Sequence, residues 1–225
     1  MSGINDAAST VQHAGELVGV VAFALSGALA AERHRMDIVG VLLVAVATAL
    51  GGGILRDVLI GNTPPNALTD MSYLLAAVLA GAVVCVWRPP ANRYTRWPLD
   101  ITDAVGLGLF AVTGTVIAHQ WGLSAPGSAL LGVMTCIGGG VIRDLLCGEV
   151  PSVLRPHEYL YAIPALACAA TVAVLLRYTN YQAWMGLACA AIAIALRLAS
   201  LKFGWHGPRP WYHRRAGRDG GPEVS

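Results

Sequence analysis

The chain is poor in charged residues. Asp, Glu, Lys and Arg make up 12% of its 225 residues, whereas soluble domains carry about 25%. Hydrophobic residues make up 56%, and the mean hydropathy is +0.59. A formal net charge of only +2 gives no reason to expect a nucleic-acid partner. For most of the chain, lipid is therefore the expected solvent.

The sequence also lacks the motifs of common enzymes. It contains no Walker motif, dinucleotide-binding fingerprint or hydrolase elbow, and its six histidines have no plausible nucleophile beside them. The five cysteines lie in apolar segments without metal-ligand spacing. The first 13 residues contain no Lys or Arg, so we expect no removable signal peptide. We predict no enzymatic activity, no metal and no cofactor.

Seven apolar segments are long enough to span a bilayer, which takes about 20 residues. They cover residues 14–32, 36–60, 71–87, 100–119, 124–147, 159–176 and 181–200. If the N-terminus lies outside, eleven Lys and Arg residues of the loops and tail lie inside and only Arg177 lies outside. Because cytoplasmic loops are enriched in Lys and Arg, this asymmetry predicts seven spans, an outer N-terminus and a cytoplasmic C-terminus.

The sequence repeats itself without gaps at an offset of 87 residues. Residues that return at this offset include Phe23, Gly27, Thr48, Gly61 and Pro64, as Phe110, Gly114, Thr135, Gly148 and Pro151. Each copy holds three spans, an odd number, so the second copy enters the membrane in the opposite sense. We predict an all-α membrane protein with inverted three-helix repeats at 14–87 and 100–176, a seventh helix at 181–200 and a basic cytoplasmic tail at 202–225.

A glycine triplet interrupts the second and the fifth apolar segment. The triplets are Gly51, Gly52 and Gly53, and Gly138, Gly139 and Gly140. Each glycine costs a helix about 1 kcal/mol relative to alanine, so three together suggest a kink or a short unwound segment. Free carbonyl groups there are suitable ligands for monovalent cations. The alternative is that the glycines allow close helix packing, as small residues do in membranes.

Charged residues follow each triplet inside an apolar segment. They are Arg56 and Asp57 in the first copy and Arg143 and Asp144 in the second. Adjacent helical residues point about 100 degrees apart, so we expect the pairs to be exchanged between the repeats, Arg56 with Asp144 and Arg143 with Asp57. Such charges mark an ion pathway or an ion-pair network that fastens the repeats together.

Two further acidic residues, Glu16 and Asp103, also lie 87 positions apart, near the predicted membrane entrances of spans one and four. They are interpreted either as groups that attract cations or as solvated helix ends. The candidate ion pathway thus contains Glu16 and Asp103, the two triplets, the repeated Thr48 and Thr135, and the two Arg-Asp pairs.

The duplicated GGGILRD and GGGVIRD motifs in a seven-span chain resemble the prokaryotic branch of the TRIC family, the trimeric intracellular cation channels. The resemblance covers roughly residues 14 to 205. It implies a homotrimer in the prokaryotic plasma membrane, in which each protomer conducts potassium and other monovalent cations through its own pore. It also implies that spans two and five bend at their glycines and that lipid binds between protomers.

Two other functions agree with the same features. Inverted repeats with broken helices are typical of secondary transporters, and bacterial proteins with this domain have been called glycine transporters. A membrane scaffold without transport activity is the third hypothesis.

Overall fold

The structure is a computed structural model that describes residues 2–87, 96–155 and 161–205. Within these ranges the regular structure is helical. The helices are α1 (Ser2–Arg33), α2 (Ile38–Ile60), α3 (Asn66–Thr69), α4 (Met71–Trp87), α5 (Arg96–Gln120), α6 (Ala125–Leu146), α7 (Ala162–Tyr178) and α8 (Ala183–Phe203). A short 3-10 turn covers Ser152–Leu154.

Five of the described helices, α1, α2, α5, α6 and α8, are long and apolar enough to cross a membrane. The apolar helices α4 and α7 are shorter, with 17 residues each. These seven helices coincide with the seven predicted segments, and their ends differ by a few residues, except that α1 begins about three turns earlier. The four-residue helix α3 was not predicted. Most of the predicted tail, 206–225, lies outside the described residues.

The repeat is visible in the ends of α2 and α6. The side chain of Asp37 accepts a hydrogen bond from the Gly40 amide at 2.7 Å, and its counterpart Ser124 caps α6 in the same way. After both helices the chain turns at a glycine with positive φ, 79° at Gly61 and 72° at Gly148. Glycine, which has no Cβ, adopts this backbone conformation most readily, which explains why it occurs in both copies.

The prediction of a short unwound segment at the glycine triplets is wrong, while the kink predicted there stays a prediction. Helices α2 and α6 continue without interruption through residues 51–53 and 138–140. Hydrogen bonds of a continuous helix keep every backbone group paired, which is the less costly arrangement where water is absent. Unwinding therefore does not explain why glycines occur at these positions.

The two repeats have matching helix neighbours. In the first, α1, α2 and α4 pack on one another, and in the second α5, α6 and α7 do the same. Contacts of α1 with α5 and of α2 with α6 join the repeats, and α8 packs against α5 and α7.

Helices α1 and α5 run antiparallel. Gln12 of α1 meets Gln120 at the end of α5, and we call this side of the bundle end A. At the opposite side, end B, His34 after α1 meets Glu149 after α6. Helix α1 thus runs from end A to end B, and α6 ends at end B.

The surface and the interior have the polarity expected of a protein in lipid. Large apolar side chains such as Val39, Leu79 and Val86 point outward and are exposed. In contrast, seven charged side chains of the described residues are buried inside, namely Glu16, Arg56, Asp57, Asp103, Arg143, Asp144 and Arg197. Because burial of a charge is costly without a partner, the contacts of these residues define the site.

Candidate functional site

Three charged side chains form a buried cluster near end A. Arg56 donates from Nη1 to Oε1 of Glu16 at 2.7 Å and from Nε to Oδ1 of Asp57 at 2.9 Å. The second oxygen of Asp57 accepts the backbone amide of Asn66, the first residue of α3, at 2.9 Å. The second oxygen of Glu16 accepts the hydroxyl of Tyr73 in α4 at 2.9 Å. The cluster thus ties α2 to α1, α3 and α4.

The equivalent cluster lies near end B. Arg143 donates to Oδ1 of Asp103 at 2.6 Å and to Oδ1 of Asp144 at 2.9 Å. The second oxygen of Asp144 accepts the amide and the hydroxyl of Ser152 at 2.6 and 2.9 Å. Arg143 also donates to Oγ of Ser26 in α1 at 2.6 Å, which joins the second repeat to the first. At both ends, the arginine binds the next residue and an acid 40 positions earlier, and the aspartate after it accepts a backbone amide.

The predicted exchange of ion pairs between the repeats is wrong. Arg56 pairs with Asp57 and not with Asp144, and Arg143 pairs with Asp144 and not with Asp57. The angle of about 100 degrees between neighbouring residues describes where their Cβ atoms point. An arginine side chain is long and flexible enough to bend toward the next residue, so its guanidinium reaches the carboxylate of that residue.

Glu16 and Asp103 are buried residues rather than solvated helix ends. Their relative exposures are 7% and 2%, and each accepts a hydrogen bond from the arginine of its own repeat. The sequence did indicate these two pairs, because each acid lies 40 positions before the arginine that it binds. The sequence did not indicate how α1 and α5 are rotated about their own axes. This rotation turns the two acids inward.

The central glycine of each triplet lies where α2 crosses α6. A Cβ on Gly52 would overlap the carbonyl oxygen of Thr135, and one on Gly139 would lie 2.5 Å from the carbonyl oxygen of Thr48. Both obstacles are backbone atoms, which a side-chain movement cannot remove. The close packing hypothesis therefore explains Gly52 and Gly139.

The other four triplet glycines have different surroundings. A Cβ on Gly51 would overlap Ile142, and one on Gly138 would lie 3.3 Å from Cα of Gly52. One on Gly140 would overlap the hydroxyl of Tyr161, whereas one on Gly53 would find its nearest atom 4.0 Å away. Gly53 faces a cavity at end A instead.

The hydroxyls of Thr48 and Thr135 bond within their own helices. Thr48 donates to the carbonyl of Val44 at 2.6 Å and Thr135 donates to that of Leu131 at 2.7 Å. Both side chains are fully buried, and they lie against Gly27 and Gly114 respectively. The structure thus places both hydroxyls at helix contacts.

Each charged cluster adjoins a cavity. The cavity at end B has a volume of about 160 Å³ and is lined by Asp103, Arg143, Asp144 and Arg197, among others. The cavity at end A has a volume of about 20 Å³ and is lined by residues that include Glu16, Arg56, Asp57 and Tyr73. Between them lie the crossing of α2 with α6 and the rings of Phe23 and Phe110, whose centroids are 5.2 Å apart.

Sequence reasoning missed three aromatic and cationic members of the site. Tyr73 and Tyr161 contact the buried acids Glu16 and Asp103, and the guanidinium of Arg197 in α8 lies 4.7 Å from the ring centroid of Tyr161. The two tyrosines lie 88 positions apart, one more than the repeat offset, so a search without gaps does not align them. The hydroxyl of Ser26 bridges α1 to α6 through Arg143, while the hydroxyl of its counterpart Thr113 has no partner among the described residues.

A surface cluster borders the cavity at end B. Nε2 of His34 lies 3.1 Å from Oε1 of Glu149, and Arg155 contacts the other oxygen of Glu149. Partial burial alone would raise the pKa of the Glu149 carboxyl, but the hydrogen bond and charge of Arg155 and the charge of His34 lower it. The cluster joins the end of α1 to the segment after α6.

The chain matches known membrane proteins along most of its length. A family model described as "Glycine transporter" matches residues 13–89 and 100–177. A UPF0126 membrane protein of Deinococcus radiodurans is 42% identical over 172 residues, 76% of this chain and 80% of the relative. The UPF0126 inner membrane protein YadS of Escherichia coli is 32% identical over 206 residues, 88% of this chain and 94% of the relative.

A solved structure has the same fold. The TRIC trimeric intracellular cation channel orthologue from Rhodobacter sphaeroides superposes with a TM-score of 0.80 at 35% sequence identity. The match covers 87% of this chain and 99% of that one. With the duplicated glycine and Arg-Asp motifs and this shared fold, the chain is a multi-pass membrane protein that belongs to the prokaryotic branch of the TRIC channel family.

Proposed function

We propose that the protein is a monovalent-cation channel whose pathway runs between the two cavities, past the two charged clusters. The observation that carries this proposal is the sum of the buried charges. At end A, Glu16 and Asp57 face the single cation Arg56, so the cluster has a charge of −1. At end B, Asp103 and Asp144 balance Arg143 and Arg197. A negative site in a low-dielectric surrounding raises the local cation concentration.

The proposed pathway is closed in the middle. Backbone contact between α2 and α6 at Gly52 and Gly139, together with the packed rings of Phe23 and Phe110, separates the cavities. Conduction then requires α2 and α6 to move apart at this crossing. The paired Arg and Asp side chains set the field on either side of it, and the triplet glycines act through packing rather than as ion ligands.

Seven spans arranged as two inverted three-helix repeats and a final helix are part of the proposal. The antiparallel course of α1 and α5 and the matching clusters at opposite ends support it. Among the described residues, Arg33, Arg35, Arg155 and Lys202 lie toward end B, and Arg177 lies toward end A. We propose that end B is cytoplasmic and that the N-terminus lies outside, in a prokaryotic plasma membrane.

We further propose a homotrimer with one pore per protomer, potassium as the main permeant ion, and lipid bound between protomers. The trimer and the cation follow from the name of the related Rhodobacter channel. Because −1 is a weak field, we expect selection for cations over anions rather than a sharp choice among monovalent cations.

Recording from purified protein in planar bilayers tests the channel. In a potassium chloride gradient we expect discrete current steps whose reversal potential lies near the potassium equilibrium potential. Arg56→Met, which leaves two buried acids unpaired, serves as the variant with altered charge. A reversal potential near zero or near that of chloride would contradict the cation pathway.

A secondary transporter of glycine is the second candidate, because the matching family model bears that description. Uptake of labelled glycine into proteoliposomes without current steps would favour it. If neither current nor uptake is found in correctly folded protein, the scaffold hypothesis is left.

A further inference from the structure

A line of polar contacts at end A leads from the protein surface to the buried cluster. Asp70 and His13 are partly exposed, and Nε2 of His13 lies 3.9 Å from Oδ2 of Asp70. Nδ1 of His13 lies 3.0 Å from the hydroxyl of Tyr73. That hydroxyl in turn lies 2.9 Å from Oε2 of Glu16. Two hydrogen-bond contacts, from His13 to Tyr73 and from Tyr73 to Glu16, thus connect a partly exposed side chain at end A with an acid that is only 7% exposed.

The direction of each hydrogen bond in this line follows from its acceptor. A carboxylate only accepts hydrogen bonds, so the hydroxyl of Tyr73 donates to Glu16. The tyrosine oxygen is then free to accept a hydrogen bond from Nδ1–H of His13. Hydrogen bonds from Ser72 lower the pKa of the Asp70 carboxyl, which keeps a negative charge next to Nε2–H. Nδ1 of His13 thus faces the Tyr73 oxygen, while Nε2 faces the Asp70 carboxylate.

We propose that His13 and Tyr73 form a proton relay that delivers protons from end A to Glu16. The N–H bond at Nδ1 of His13 breaks and its proton moves to the Tyr73 oxygen, while the Tyr73 hydroxyl proton moves to Oε2 of Glu16. His13 becomes neutral and Glu16 becomes a neutral acid. The ring of His13 then turns so that the vacated Nδ1 faces water at end A, takes up a proton there and turns back. Arg56 occupies Oε1, so the proton arrives at the other oxygen of Glu16.

The groups that face Glu16 determine what its protonation changes. Arg56 contacts it from α2, and Asp57 is joined to it through Arg56. Tyr73 contacts it from α4, and from α5 the apolar ring of Phe110 lines the same cavity. Protonation therefore reduces the charge of the cluster from −1 to zero and leaves Arg56 paired with Asp57.

Among the residues that the structure describes, end B has no equivalent line of polar contacts from the surface to its buried acid. Tyr161 contacts Asp103 at 3.4 Å, but the residue that corresponds to His13 in the second repeat is Asp100. Asp103 also accepts a hydrogen bond from Arg143 on the oxygen that Tyr161 faces. The relay thus belongs to one end only, and Tyr161→Phe is a matched control for Tyr73→Phe.

Infrared spectroscopy tests the relay without any ion current. In pH-jump difference spectra of purified protein we expect a protonated carboxyl band that is absent in Glu16→Gln. His13→Gln, a change at the partly exposed surface, should slow the rise of this band by about 100-fold, the lower end of what a positioned proton donor contributes. Tyr73→Phe should slow it similarly, whereas Tyr161→Phe should leave its rate unchanged.

Two results would overturn the relay. One is the lack of a band assignable to Glu16 over the pH range in which the protein stays folded. The other is a band that rises at the wild-type rate in His13→Gln, because the proton would then arrive by another way.

The electrical consequence rests on the proposed channel. Acid on end A should reduce the cation conductance by about tenfold at low salt, since the focusing charge is lost, whereas acid on end B should not. Equal sensitivity at both ends would contradict the relay as the source of pH dependence. If the infrared band behaves as expected and no current is found, the relay stands and the channel proposal fails.

Discussion

Replacing single glycines of the triplets distinguishes packing from unwinding. The variants are Gly52→Ala and Gly139→Ala, with Gly53→Ala as the matched control. A new Cβ at position 139 would lie 2.5 Å from the Thr48 carbonyl oxygen, whereas ordinary Cβ contacts begin at 3.4 Å. Helices α2 and α6 would have to separate by close to an ångström. At position 53 the nearest atom is 4.0 Å away, so nothing has to move.

The expected magnitudes follow from two opposing effects. Overpacking of a well-packed core costs about 1 to 3 kcal/mol, and the obstacle here is backbone, so the upper end applies. Alanine returns about 1 kcal/mol of helix propensity relative to glycine. We therefore expect Gly52→Ala and Gly139→Ala to lower the free energy of unfolding by about 2 kcal/mol. Gly53→Ala should be neutral or stabilising by up to about 1 kcal/mol.

Thermal unfolding in detergent, followed by tryptophan fluorescence and by the elution of folded protein, measures these differences. The three variants should separate clearly, with Gly53→Ala at or above the wild type. If all three lose similar stability, the triplet acts as one flexible unit and the packing argument is refuted. If Gly52→Ala and Gly139→Ala are both as stable as Gly53→Ala, the backbone contact between α2 and α6 is not tight.

Three further predictions concern the charges. Arg143→Met should cost about 3 to 5 kcal/mol because Asp103 and Asp144 stay buried after losing the guanidinium that bonds to both of them, and adding Asp103→Leu should restore part of it in a thermal double-mutant cycle. Arg56→Met combined with Asp144→Leu should instead be additive within about 0.5 kcal/mol, since they belong to separate clusters; strong coupling would reinstate the exchanged pairing. For Glu149, the lowered pKa means that its stabilisation is complete above the unfolded-state value of 4.5 and is lost as the pH falls through the folded value. The stability of Glu149→Gln should therefore fall less steeply with acidification, and parallel curves for both proteins would contradict this.

Much of the architecture could be predicted from the chain alone. Apolar segments of bilayer length predicted the all-helical fold and its five long apolar helices, because hydrocarbon requires continuous internal hydrogen bonding and so permits few alternatives. The offset of 87 residues paired Glu16 with Asp103 and Arg56 with Arg143 as equivalent positions, and the structure places them in equivalent contacts. The helix α3 escaped prediction because its four residues carry no periodic pattern.

The contacts within the site required the tertiary structure. Which acid an arginine binds depends on the rotation of each helix about its axis and on the reach of a flexible side chain, and neither is encoded in spacing. That is why Arg56 bonds to Glu16 and Asp57 instead of Asp144. The same holds for the glycines, whose sequence pattern suits an unwound segment and a close crossing equally. Only the position of the Thr135 carbonyl opposite Gly52 decides between them, because close packing is a property of two helices and not of one.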